Sequence, residues 1–157
     1  MLFNDYLTEE EFLLFFNPYH IEEVIYELKF KISCLYDRNV SSAKWGGSRE
    51  FAIEYSSERV DDLVPRIIGH KYNLERYIEK SDVKKAIYYK VLNTFKPDEQ
   101  ERIDLYCAER QYLDEDIKKR LLNEVYKLYK QYLDKVAKEH AERKRAYLRS
   151  KVPRQSC

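Results

Sequence analysis

Residues 96–136 decide the fold of this chain, and they read KPDEQERIDLYCAER, QYLDEDIKKRLL and NEVYKLYKQYLDKV in succession. The first segment opens with Pro97 and Asp98, which favour the first turn of a helix because proline pre-sets φ and an acidic side chain complements the helix dipole. The second opens with Asp114, a capping acceptor ahead of Ile117. The third carries apolar residues at the period of an amphipathic helix: Val125, Leu128, Tyr132 and Val136.

Two short helices followed by a basic third helix are the layout of a helix-turn-helix. In that motif the last helix enters the major groove of DNA while cations contact phosphate. Here the turn falls at residues 121–124, Leu-Leu-Asn-Glu, and lysines at 127 and 130 lie off the apolar stripe of the third helix. Residues 96–136 therefore predict a C-terminal helix-turn-helix.

This stretch resembles the ArpU/RinA-like family of small phage transcription regulators, whose C-terminal part is similar to a sigma-factor region-4 helix-turn-helix. Residues 114–117 (DEDI) match the acidic opening of the scaffold helix, residues 125–133 (VYKLYKQYL) its reading helix, and residues 56–64 (SSERVDDLV) a boundary after a Gly/Ser-rich loop. The resemblance runs from about residue 21 to residue 138. It implies a DNA-binding transcriptional regulator of phage type, acting on late or packaging gene promoters.

The resemblance also implies where DNA is bound and what partners the protein has. Gln131 would pair with adenine and the lysines with guanine, while the arginine-rich segment would contact the phosphate backbone. The expected partners are double-stranded DNA, RNA polymerase and a second copy of the chain in a homodimer. The predicted DNA-binding residues are Asn123, Tyr126, Lys127, Lys130, Gln131, Arg143, Lys144 and Arg145.

A second hypothesis is a helical protein-interaction module, an oligomeric adaptor or an inhibitor of a host protein, that binds no nucleic acid. The turn at residues 121–124 is shorter than the family pattern and lacks glycine, so the two helices could be one. The net charge of +1 also favours this hypothesis. So does an apolar seam like that of a coiled coil, formed by Ile117, Leu121, Val125, Leu128, Tyr132 and Val136.

The composition predicts an all-α protein. The 157 residues include only three glycines and four prolines, and 44% are hydrophobic and 36% charged, which suits helices around one core. We expect a helical bundle with an intact or degenerate helix-turn-helix and a long basic last helix. The expected segments are 1–56, N-terminal helices and a Gly/Ser loop; 57–96, central helices; and 97–157, the helix-turn-helix-like region with a basic tail.

Local signals place the earlier helices. Thr8 and Glu11 form a capping box ahead of a phenylalanine-rich helix, and Asn17 caps the next one. Residues 39–56 break the helical pattern and hold Trp45, the only tryptophan, which covers the core or stacks on a ligand. Another helix follows, with Pro65 placed to bend it.

The charges are unevenly distributed along the chain. Residues 1–28 contain seven acidic residues and no lysine or arginine, whereas residues 138–157 contain seven basic residues and two acidic ones. Such a basic tail contacts phosphate, contacts the acidic residues 1–28 of another copy, or is solvated. The apolar surface of the first and last helices favours self-association.

No enzyme, metal or cofactor is expected from the sequence. His20, His70 and His140 lie far apart, and no catalytic or nucleotide-binding motif is present. Cys34 and Cys107 sit among apolar neighbours and are expected to act as small core residues in a reducing compartment. The start of the chain lacks a signal peptide pattern, and no apolar run is long enough for a membrane span. We therefore expect a cytoplasmic protein with no membrane partner, in the host cell if the chain is phage-encoded.

Overall fold

The computed structural model describes residues 6–37 and 60–151. Within these ranges the chain forms helices and no strand, which confirms the predicted all-α class. The loop that holds Trp45 lies outside the described residues, and the predicted segment boundaries stay predictions. The helices are α1 (Glu9–Phe15), α2 (Pro18–Asp37), α3 (Val60–Leu92), α4 (Pro97–Glu109) and α5 (Glu115–Lys151).

The predicted caps at Thr8 and Asn17 are present, whereas the carboxylate of Asp114, the third predicted cap, lies 2.9 Å from the guanidinium of Arg102. The backbone N–H of Glu11 donates to the Thr8 hydroxyl at 3.2 Å, and the backbone N–H of Thr8 donates to the Glu11 carboxylate at 3.0 Å. Asn17 accepts from the backbone N–H of Tyr19 at 3.1 Å and donates from its amide to the carbonyl oxygen of Cys107 at 2.8 Å. The buried side chain of Asn17 therefore caps the start of α2 and also links α2 to α4 through a hydrogen bond.

Helices α2 and α3 pair in antiparallel fashion. Leu35, near the end of α2, packs with Leu63 and Ile67, near the start of α3. At the other end, the ammonium of Lys85 lies 2.7 Å from the carboxylate of Glu22. Pro65 falls inside α3, which nevertheless runs as one helix of 33 residues.

Helices α1 and α4, the end of α3 and the start of α5 together form the part of the protein called here the head, and the main core, the head core, lies between them. Phe12 and Tyr88 face each other with ring centroids 6.2 Å apart. Each large side chain buried there contributes about 1.5–3 kcal/mol. The buried members are Leu7, Phe12, Phe16, Ile87, Tyr88, Val91, Leu92, Phe95, Ile103, Tyr106, Cys107, Leu113, Leu121 and Val125.

Helix α5 runs without interruption for 37 residues, so the predicted turn at residues 121–124 is absent. Leu121 and Val125, one helical turn apart, are both fully buried in the head core. A break between them would pull one of the two out of the core, and the segment contains neither glycine nor proline to favour a break. The scaffold and reading helices of the expected helix-turn-helix are therefore one helix, while the long last helix is confirmed.

Polar contacts fasten the start of α5 to the head. The ammonium of Lys118 lies 3.2 Å from the carboxylate of Glu9 on α1. The guanidinium of Arg120 lies 2.7 Å from the carboxylate of Glu99 on α4 and 4.1 Å from the ring centroid of Phe95. These contacts add to the apolar packing of the same turns and orient the helix on the head.

Glu9 is the centre of this network. The hydroxyl of Tyr106 donates to its carboxylate at 2.7 Å. That hydrogen bond lowers the pKa of Glu9 from its usual value near 4.5, and the hydrogen bond and charge of Lys118 lower it further, against an opposing effect of burial. A carboxylate with a lowered pKa stabilises the fold while it is ionised.

We predict that Leu121→Ala and Leu133→Ala have very different effects, although both leucines lie on α5. Leu121 is 0% exposed and Leu133 is 42% exposed. Leu121→Ala should lower the free energy of unfolding by about 2–5 kcal/mol because it leaves a cavity in the head core. Leu133→Ala should change it by about 0.5 kcal/mol or less. Urea denaturation followed by circular dichroism measures both, and equal losses would contradict this placement of α5.

We also predict that Glu9→Gln destabilises the protein in a pH-dependent way. Glutamine keeps an acceptor for Tyr106 but loses the charge that attracts Lys118. The stability that Glu9 provides is present above its unfolded-state pKa and is lost as pH falls through its lower folded-state pKa. The difference in unfolding free energy between wild type and Glu9→Gln should therefore be largest near neutral pH. It should disappear as the pH falls below about 4.

The matched control is Glu10→Gln. Glu10 lies in the same first turn, is exposed, and has no side-chain hydrogen bond or ion pair in the described part of the chain. Denaturation curves at several pH values should show little change for this variant. A Glu9→Gln difference that stays constant with pH would disprove the role of the charge.

Candidate functional site

Helix α5 has two parts with different surroundings. Up to Tyr129 it packs on the head: the Tyr129 ring meets Phe16 edge-on, with centroids 5.1 Å apart. Residues 131–150, called here the free half, are all exposed except Val136, which is half-buried. Twenty helical residues extend for about 30 Å. The free half is therefore a long helix with almost no packing against the rest of the described chain.

The free half carries an apolar stripe of its own. At 100° per residue, its members fall on one side of the helix, rotated by roughly 120° from the side that Leu121, Val125 and Leu128 turn towards the head. Leu133 is 42% exposed and Leu148 is 54% exposed, so the stripe is open to solvent at both of these positions. The stripe consists of Leu133, Val136, Ala137, Ala141, Tyr147 and Leu148.

The rest of the free half is charged and mostly basic. Asp134, Glu139 and Glu142 are its acidic residues. Within the part of the chain that the structure describes, none of its basic side chains is in an ion pair, whereas Lys85 and Lys118 on the head are paired with carboxylates. The basic residues between 131 and 150 are Lys135, Lys138, Arg143, Lys144, Arg145 and Arg149.

All eight predicted DNA-binding residues lie on α5, but the structure does not bring them together. Tyr126 packs against the head core, and the ammonium of Lys130 lies 5.8 Å from its ring centroid. Lys127 and Arg145 are 18 positions apart, which is about 27 Å along the helix. That these eight residues form a binding site stays a prediction. Tyr126 is half-buried; the exposed ones are Asn123, Lys127, Lys130, Gln131, Arg143, Lys144 and Arg145.

The apolar stripe on the free half was not among the features predicted from the sequence. The predicted seam ended at Val136, and its members Ile117, Leu121, Val125 and Leu128 pack on the head rather than in a coiled coil. A helical period that starts afresh at Leu133 was the available signal.

The described residues can be examined for a metal site, a membrane-spanning helix and the surroundings of Cys107. In residues 6–37 and 60–151, no group of three His, Cys, Asp or Glu is placed to hold a metal ion. No helix there is long and apolar enough to cross a bilayer. Cys107 lies in the head core as expected, and burial raises the pKa of its thiol to about 11.

We predict that backbone amides exchange with solvent much faster in the free half than in the part of α5 before it. Most of the stability of a helix in a protein comes from tertiary packing, which the free half almost lacks within the described chain, so the free half can open without unfolding the head. Hydrogen exchange measured by NMR or mass spectrometry should show protection falling after about Tyr132. Equal protection on both sides of Tyr132 would mean that the free half is packed against something.

Comparison with known proteins identifies one family. A family model described as Encapsidation protein CP3 matches residues 2–155, nearly the whole chain. No curated protein and no solved structure matches the chain. The match overturns the resemblance to the ArpU/RinA-like family and, with it, the predicted function as a DNA-binding transcriptional regulator.

The correction has a physical reason. The resemblance depended on a reading helix that begins at a turn, and α5 has no such turn. A lysine- and tyrosine-rich amphipathic helix is a common pattern, so it does not distinguish one helical family from another. The family match also overturns the partners predicted for a regulator. Those partners were double-stranded DNA, RNA polymerase and a second copy of the chain that reads a DNA half-site. The chain belongs to the Encapsidation protein CP3 family.

Proposed function

We propose that this protein is a helical protein-interaction component of virus genome encapsidation, and that it binds a capsid or packaging protein. The family supplies the process. The observation that carries the proposal is the free half of α5, about 30 Å of helix left almost entirely exposed beside a well-packed head. An amphipathic helix that its own fold does not cover is a common means of binding another protein.

The head supports this proposal because it forms its core without the free half. Every buried member of the head core lies at or before Val125. Residues 131–150 therefore contribute little to folding, and their exposed Leu133 and Leu148 are costly to leave in water. Binding to a protein groove would cover them.

We further propose that the protein has no catalytic activity of its own. Burial raises the pKa of Tyr88, Tyr106 and Cys107, and all three lie inside the head core rather than in an open cleft. Groups with shifted pKa values that pack a core serve the structure. The host-cell cytoplasm is the proposed location, and the free thiols of Cys34 and Cys107 suit a reducing compartment.

The test is removal of the protein from the virus that encodes it. Particles and infected cells are compared with and without the chain, with the wild-type chain supplied from a plasmid as control. We expect particles to assemble but to contain far less genome, while viral transcript levels stay unchanged. Normally filled particles, or a general loss of viral transcripts, would refute the proposal.

A further inference from the structure

A basic residue lies inside the apolar stripe of the free half. Lys144 projects from the same side as Ala141, three positions before it, and Leu148, four positions after it. His140, one turn earlier, shares this side of the helix. Lys144 is exposed and has no ion pair in the described part of the chain. Any protein that covers the stripe must therefore also cover this ammonium.

Covering an ammonium without a partner is costly. An unpaired charge in an apolar interface loses its hydration, and a carboxylate opposite Lys144 is the group that compensates this loss best. A lysine within the apolar seam of a helix pair fixes register and partner choice for the same reason. Lys144 thus selects the chemistry of the surface that binds.

The charges around the stripe select the same chemistry. The free half has six basic residues against three acidic ones, and its basic side chains are not neutralised by the rest of the described chain. A surface with this balance attracts a negatively charged partner and repels a positive one. Because the stripe is straight, apolar and helical, the matching surface is another amphipathic helix or the groove beside it.

We propose that the free half of α5 docks on an acidic amphipathic helix of a capsid or packaging protein, with Lys144 paired to a carboxylate of that helix. This inference rests on the proposed function and adds the surface and the class of partner. The apolar stripe supplies the buried area, and the flanking cations set the orientation.

A protein fits this surface better than a nucleic acid does. Glu142 lies among the cations of the polar side, four positions after Lys138 and three before Arg145. A phosphate backbone placed along that side would meet this carboxylate. The apolar stripe would also stay uncovered, since phosphate contacts offer it nothing.

A second copy of the chain fits less well than a separate protein. Another copy offers two acidic helices: α1, which is only seven residues long, and α2, which exposes Tyr26 and Phe30. On α2, however, the carboxylate of Glu22 is paired with Lys85 at 2.7 Å and that of Glu23 lies 3.6 Å from the imidazole of His20. Glu27 is the one glutamate of that helix with no ion pair in the described part of the chain. A partner with unpaired carboxylates complements the free half better.

The first experiment is site-specific photocrosslinking with the full-length chain in infected cells. A benzoylphenylalanine replaces Tyr147 in one variant and Tyr72 in the control, because these tyrosines are 57% and 58% exposed. We expect position 147, and not position 72, to crosslink to an acidic helical segment of a virion or packaging protein, identified by mass spectrometry. Crosslinks from 147 only to nucleic acid, to copies of the chain or to a basic segment, or none at all, would overturn the inference.

The second experiment is a charge exchange with the protein identified in that way. Lys144→Glu should weaken binding about tenfold or more, and Lys138→Glu, on the polar side, considerably less. Changing the opposed carboxylate of the partner to lysine should restore binding to Lys144→Glu alone. Equal effects of the two reversals, or no rescue, would overturn the inference. If circular dichroism shows that Lys144→Glu is unfolded, Lys144→Ala is compared with Lys138→Ala instead, and equal losses of binding from these two variants would overturn it.

The two proposals fail in different ways. Genome packaging that needs the chain but tolerates Lys144→Glu removes this inference and leaves the proposed function intact. Packaging that proceeds without the chain removes the proposed function.

Discussion

The burial of Leu121 and Val125 on a single turn of α5 is the constraint on which the rest of the structure depends. Both side chains are fully enclosed by the head core, so the turn between them must stay helical. That requirement excludes a bend at residues 121–124 and makes everything after Val125 a continuation of the same rod. The direction in which the exposed helix leaves the head is thus set by two apolar side chains and by the ion pairs of Lys118 and Arg120.

The local features of the fold could be predicted from the sequence because each depends on neighbours in the chain. The capping box of Thr8 and Glu11 and the cap at Asn17 are of this kind. Whether two helical segments join into one helix depends on packing against distant parts of the chain. Asp114 and the apolar residues after it indicate where a helix begins, but they do not indicate where that helix ends. Ser81 is another residue of a type that favours helix starts, yet it is buried inside α3 and the helix continues through it.

The candidate site was harder to predict for a related reason. The side of α5 that is apolar changes between the head and the free half, by roughly a third of a turn. The apolar stripe that includes Val125 and Leu128 ends near Val136, whereas a second apolar stripe begins at Leu133. The sequence contains both stripes, but only the position of the head shows that the first is used for folding and the second is left exposed.

A rod that is held at one end also behaves as a lever. The attachment spans only the first few turns of α5, and the exposed part extends about 30 Å beyond it. A tilt of about 10° at the attachment therefore carries the far end through about 5 Å, roughly the spacing of one helical turn. A molecule that binds the tip can thus lie at a range of sideways positions relative to the head, which would let one small protein reach binding positions that are not geometrically identical.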